Sequence, residues 1–149
     1  WCMTLETDFP VAIEQDLGTG AYQKGLQALK ASDRSLIKPS NTRLCQGSAD
    51  IDTRLAEQQP QSPRWDYVMA YNQTLHFIEV HPAHTSEVSA VIRKKEWLMA
   101  WLKNSRLGKL ESPRRFHWLA SDKIAITKGS KQARAAAQMG LTPVRQLTL

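Results

Sequence analysis

Asp66, Glu79 and His81 are the residues whose types and spacing best suit chemistry. They lie in the stretch WDYVMAYNQTLHFIEVHPAH, residues 65–84. Alternate residues of a strand share a face, so Glu79 and His81 should project together. If two antiparallel strands join at Asn72-Gln73, Asp66 at the start of one comes beside Glu79 near the end of the other. Carboxylates set close together offer the oxygen donors that Mg²⁺ or Mn²⁺ takes, and Arg93, Lys94 and Lys95 follow soon after. That combination suits work on phosphates. A carboxylate in an otherwise apolar strand costs free energy unless something pairs with it. The plainer alternative for Glu79 is an ion pair with a neighbouring Lys or Arg at the sheet edge.

The elements that must position these residues follow from periodicity. Tyr67, Met69 and Tyr71 alternate with Asp66, Val68 and Ala70, and His76, Ile78 and Val80 alternate with Leu75, Phe77, Glu79 and His81. Both faces are largely apolar, as in a central strand covered on both sides. Pro82 should end the second strand. Thr85 or Ser86 then caps a helix over residues 86–103, with Val88, Val91, Ile92, Lys95, Leu98, Met99 and Leu102 at helical spacing. That stripe carries Lys95 inward.

Upstream, residues 1–10 read as irregular up to Pro10. A helical pattern runs from Val11 to about Ser32, interrupted by Gly18 and Gly20, with the main helix from Thr19. Glu14 lies in the first part, as a further ligand or a solvated acid in a helical turn. Asp50 and Asp52 flank Ile51 and should share a strand face, with Gly47 allowing a bulge. They are extra metal ligands or solvent-facing groups. Residues 57–64 read as a loop. Downstream, 103–115 is a basic loop, Phe116–Ala120 a strand, and Ile124–Thr127 its hairpin partner across Ser121-Asp122-Lys123. Ser130 caps an Ala-rich helix that Gly140 stops. An extended tail follows.

The chain's 149 residues suffice for one domain with a real core. No apolar run is long enough for a membrane span. Trp1-Cys2-Met3 lacks the basic start and apolar run of a signal peptide. Cys2 and Cys45 are too few for a disulfide framework or a cysteine zinc site, which points to a reducing cytoplasm. The net charge of +6 is uneven: residues 1–92 hold 7 Lys+Arg against 11 Asp+Glu, and residues 93–149 hold 13 against 3. An acidic half that takes a cation beside a basic half that takes phosphate fits a nucleic-acid enzyme. Arg106, Lys109, Arg114 and Arg115, within the basic segment 103–134, are the expected phosphate contacts.

The order helix, three strands, helix, strand, with Asp66 opening one strand and Glu79-Val80-His81 ending the next, resembles the PD-(D/E)XK nuclease superfamily over residues 11–127. The resemblance implies a single α/β domain with a mixed sheet flanked by helices, a restriction-endonuclease-like αβββαβ core. It implies metal-dependent cleavage of phosphodiester bonds in DNA or RNA. Asp66 matches the superfamily's metal-binding Asp, Glu79 the acid of the (D/E)XK half, and Glu14 the acid many members carry on the first helix. With Asp52, these are the implied metal ligands. Trp65 stands where the motif has Pro, and His81 where it has the catalytic Lys. His81 as general base, or a migrated lysine, Lys95 before Lys94, would then supply the missing function. Members often dimerise, so a homodimer is also implied.

Three other readings start from the same residues. His81-Pro82-Ala83-His84 with Glu79 is a possible zinc set, although Pro82 forbids the helix that such spacing usually occupies. A nuclease-like fold without chemistry would leave a nucleic-acid-binding module. Trp97, Trp101 and Trp118 would serve a protein-interaction subunit.

Overall fold

The expected hairpin over residues 65–81 forms the centre of the molecule. A computed structural model describes residues 4–149, so Cys2 lies outside the described residues. The elements in order are α1 (Leu5–Leu17), α2 (Ala31–Arg34), β1 (Ile37–Lys38), β2 (Cys45–Asp50), α3 (Ile51–Leu55), β3 (Tyr67–Tyr71), β4 (Thr74–His84), α4 (Val88–Lys103), β5 (Arg114–Ala125), α5 (Lys131–Gln138) and β6 (Leu147–Thr148). One sheet has the order β2-β3-β4-β5, antiparallel except for the parallel β4–β5 pair. The crossover from β4 to β5 runs through α4. β1 and β6 pair in parallel as a separate two-stranded sheet. The architecture is a mixed α/β fold with a mixed sheet flanked by helices. Among the described residues, no helix is long and apolar enough to cross a membrane.

The β3–β4 turn places Asn72 and Gln73 at φ 48° and 62°. Two successive left-handed residues match the natural twist of paired strands, which fixes the register tightly. In that register Tyr67 faces Ile78 and Tyr71 faces Thr74. The faces alternate as the sequence predicts. Val68, Ala70, Leu75 and Phe77 enter one core with Leu5, Phe9 and Ile13 of α1 and Val88, Val91, Leu98 and Leu102 of α4. Tyr67, Met69, Tyr71 and Ile78 enter a second core with Leu29, Ile37 and Leu147. Gly47 forms the expected bulge, where the β2–β3 register shifts. Its φ is 139°, and a Cβ there would strike the Tyr22 ring. Only glycine fits that approach.

Four sequence expectations are corrected. The first helix begins at Leu5 and runs through Pro10. Burial of Leu5, Phe9, Ala12, Ile13 and Leu17 outweighs the single backbone bond that proline removes. No helix starts at Thr19: Gly18, Gly20 and Gly25 all have positive φ, and the segment instead passes the β2 edge of the sheet, where Gln23 bridges to Ser48. β4 does not end at Pro82 but continues to His84, because the proline sits at a register shift where no ladder bond is lost. Ser121-Asp122-Lys123 is not a hairpin turn. Residues 114–125 form one strand that follows β4, with Ala83 opposite Ile124.

Candidate functional site

Asp66 follows two anchored residues. Trp65 is fully buried and meets Phe116 edge-to-face, with ring centroids 6.4 Å apart. Arg64, one residue earlier, pairs with Asp52, Nε to Oδ1 at 2.8 Å. The regular β3–β4 ladder stops at Tyr67–Ile78, and side chains take over the next bonds. The Asp66 backbone N–H donates to Glu79 Oε1 at 3.1 Å, and the Val80 N–H donates to Asp66 Oδ2 at 3.0 Å. The two carboxylates are thus locked side by side at the end of the hairpin, as the sequence predicts.

Glu79 is completely buried. Its Oε2 accepts from Lys94 Nζ at 2.5 Å and lies 3.4 Å from His81 Nδ1. The other ring nitrogen of His81 lies 2.7 Å from Glu87 Oε1. An imidazole between two carboxylates is arranged as a double donor. Glu79 raises its pKa above the ordinary value, burial opposes this, and Glu87 adds to the rise. In this arrangement neither nitrogen of His81 is free to take a proton from water, which removes the geometric basis for His81 as general base.

The lysine that reaches the carboxylates is Lys94, and the expectation that Lys95 would do so is corrected. Burial works against the Lys94 charge, but Glu79, Asp66 and Asp52 outweigh it and hold the ammonium above its ordinary pKa. Lys95 does point inward. Its Nζ donates to the Met139 carbonyl at 2.6 Å and sits 4.6 Å from the Phe116 ring centroid, and burial lowers its pKa. Successive helix positions differ by about 100° in direction, so neighbouring lysines on α4 serve different parts of the molecule.

Asp66 carries the electrostatic load of the site. Burial, and then the Glu79 charge, push its pKa up to about 7, with Lys94 pulling the other way. It opens on a cleft of about 690 Å³ whose lining includes Asp50, Asp52, Lys30 and Arg34. Asp50 is not a free strand carboxylate. It accepts from Thr53 N–H at 2.9 Å and caps α3, which carries Asp52, so these acids do not share a strand face. Glu14 is not among the lining residues. Its oxygens accept from the Gly20 and Tyr22 amides, each at 3.0 Å, and close the turn after α1. Those amides lower its pKa.

Among the described residues, no group of three or more His, Cys, Asp or Glu side chains is arranged to hold a metal ion. The donors present are the adjacent carboxylates of Asp66 and Glu79. They are oxygen donors of the kind Mg²⁺ takes, with Glu79 Oε1 already accepting from Asp66 N–H and Oε2 from Lys94 Nζ. They do not fit the nitrogen and sulfur set that zinc prefers.

The expected phosphate contacts lie elsewhere. Arg114 and Arg115 pair with Leu75 and His76, whereas Glu79 pairs with Trp118. At roughly 3.3 Å per residue, both arginines sit more than ~10 Å along the strand from the carboxylates. Arg114 is bound to the Gly108 carbonyl. Arg106 donates from its Nε to Gln15 at 2.7 Å and from its backbone N–H to Asp16 at 2.8 Å. Lys109 lines a separate shallow groove with Asp8, Val11 and Gln15. Sequence reasoning missed Lys30, Arg34 and the Glu87 contact. The signal for Glu87 was its place at the helix start, which explains an acid there without any histidine.

No family model, curated protein or solved structure matches this chain.

Proposed function

We propose that this chain is a nuclease-like domain of PD-(D/E)XK type, cleaving phosphodiester bonds of nucleic acid with Mg²⁺ or Mn²⁺. In this reading α1, β2, β3, β4, α4 and β5 form the restriction-endonuclease-like core. One observation carries it: the two carboxylates are interlocked across the β3–β4 end, with Lys94 Nζ 2.5 Å from Glu79 Oε2. Two acids and a lysine, with Asp66 lining a cleft, are the set the superfamily's chemistry requires, with the lysine on the helix rather than the strand.

Asp66 and Glu79 would hold the cation, which when bound polarises a phosphoryl oxygen and lowers the pKa of its water. Lys94 pairs with Glu79 and offers N–H donors where negative charge grows during attack. His81, itself held by Glu87, meets the same Glu79 oxygen as Lys94 and helps fix that carboxylate. The free thiol of Cys45, whose pKa burial raises, is compatible with a reducing cytoplasm.

A second reading, a nucleic-acid-binding or interaction module without catalysis, draws on the same ion pair, because Lys94 already neutralises Glu79. Calorimetric titration with Mg²⁺ and Mn²⁺, beside cleavage assays on DNA and RNA, separates the two. The nuclease reading expects saturable binding in wild type, loss in Asp66→Asn, and cleavage abolished by Lys94→Met but not by Lys95→Met. Metal-independent binding of nucleic acid without cleavage would favour the second reading.

A further inference from the structure

The cleft beside Asp66 is lined by groups of both charges: Asp50, Asp52 and Asp66, and, from the segment 24–43, Lys30, Asp33 and Arg34. That segment carries Lys24, Lys30, Arg34, Lys38 and Arg43, all exposed. Its one acid, Asp33, is buried and accepts from the Tyr67 hydroxyl at 2.7 Å. An overall count of charge hides this, because the segment sits inside the acidic part of the sequence.

The arm is fixed to the body of the molecule. Leu29 and Ile37 are buried in the second core, Ala28 N–H donates to Ser48 Oγ at 3.2 Å, and β1 pairs with β6. The cations are therefore displayed from a positioned backbone. Among the described residues, the Lys30 ammonium makes no hydrogen bond or ion pair, while its backbone carbonyl accepts from Asp33 N–H at 3.0 Å and Arg34 N–H at 2.9 Å. Arg34 spends Nη2 on the Leu29 carbonyl at 2.9 Å, which orients the guanidinium and leaves its other N–H groups available.

We propose that the 24–43 arm, with Lys30 and Arg34 at the cleft, is the surface that contacts the phosphate backbone of nucleic acid; this rests on the nuclease reading of the adjoining carboxylates. Among the described residues, none of the lining aspartates forms an ion pair with Lys30 or Arg34, so the two sets do not cancel. A cation at the carboxylates and ammonium and guanidinium groups on the arm would contact successive phosphates of one strand. Arg and Lys contacts of this kind position the backbone and carry no base information. The C-terminal basic segment is less suited, because Arg106 and Arg114 are bound to the protein itself and Arg114 and Arg115 lie at the other end of the sheet.

The test is fluorescence anisotropy with a fluorescein-labelled DNA duplex and an RNA strand of the same sequence, over a salt series. Lys30→Ala/Arg34→Ala should bind at least ~10-fold more weakly than wild type. Its salt slope on the duplex should fall by about 2, at ~0.9 per lost phosphate contact. Lys30→Arg/Arg34→Lys should restore most of the binding, which separates charge from any structural effect. Mg²⁺ calorimetry on the alanine pair should match wild type. If DNA and RNA binding survive the alanine pair but fall in Arg114→Ala/Arg115→Ala, the arm is overturned while the nuclease reading stands. If wild type takes up Mg²⁺ but binds neither nucleic acid, both are overturned. If binding depends on Lys30 and Arg34 while no Mg²⁺ is taken up, the arm is supported and the metal reading fails.

Discussion

The same strands bury titratable side chains at both ends of the sheet, and the two ends meet the cost in opposite ways. At the turn end, His76 Nδ1 lies 2.9 Å from His117 Nε2, and the rings stack with centroids 5.1 Å apart. Burial pushes both histidines down to about 4, and the positive charge of Arg115 adds to it. They are neutral at physiological pH and satisfy each other. At the far end, Glu79 is paired with Lys94 and His81, and Asp66 is pushed up to about 7. One end has discharged its burial cost by giving up charge. The other keeps a negative demand at a cleft, and that difference is what marks it as the candidate site.

The largest expected effect comes from removing the acid that holds the charged end together. Glu79→Ala removes the one carboxylate in contact with Lys94, leaving only the longer-range charges of Asp66 and Asp52, and should cost about 3–5 kcal/mol in chemical denaturation. Adding Lys94→Met should recover part of that loss, since the stranded charge goes with it. An unchanged denaturation midpoint in Glu79→Ala would show that Lys94 reaches water and that the two ends differ less than described.

Asp66→Asn tests the same end from the other side. The folded pKa of Asp66 is raised, so its contribution to stability is fully present below its ordinary value of 3.8 and is lost as pH rises through about 7. At pH 8 and without metal, the substitution should therefore stabilise the protein by about 2–4 kcal/mol. A destabilised Asp66→Asn at pH 8 would sink the assignment of strain to this carboxylate.

The histidine end gives a smaller effect of opposite sign. Folded pKa values lowered from 6.5 to about 4 mean that stability is present above 6.5 and lost as pH falls through 4. Thermal melts between pH 7 and 4 should fall, partly offset by Asp66, with about 2–3 kcal/mol lost by pH 4. His76→Phe/His117→Phe should flatten that limb, and Asp66→Asn should steepen it. A limb insensitive to the double histidine variant would mean that the pair is already charged when folded.

Short-range rules made the centre of the fold legible. Alternation gave both faces of the hairpin, Asn72-Gln73 gave its turn, Gly47 its bulge, and Ser130 the cap of α5, where its Oγ accepts from Ala133 N–H at 3.1 Å. From these the meeting of Asp66 and Glu79 could be read directly. Elements decided by tertiary partners were not legible. Pro10 looks like a terminator until the packing of Phe9 and Ile13 is known. Pro82 looks like a strand end until β5 is seen to follow past it. Helical spacing correctly sent Lys95 inward, but inward led to Phe116 and Met139. Lys94 reaches Glu79 because of where α4 crosses the sheet, which spacing along one helix does not encode.

The basic arm also has a history in the order of synthesis. β1 has one strand partner, β6, which lies at the opposite end of the sequence, with Leu149 N–H donating to the Lys38 carbonyl at 3.0 Å and Ser40 N–H to the Leu149 carbonyl at 2.8 Å. A chain emerging from its N-terminus completes the β3–β4 hairpin, a local pairing, long before this clasp can close. Contacts of such long sequence separation form late, since loop closure precedes any gain from the contact. The carboxylate end of the sheet can therefore take shape on a nascent chain while Ile37 and Lys38 still lack their strand partner.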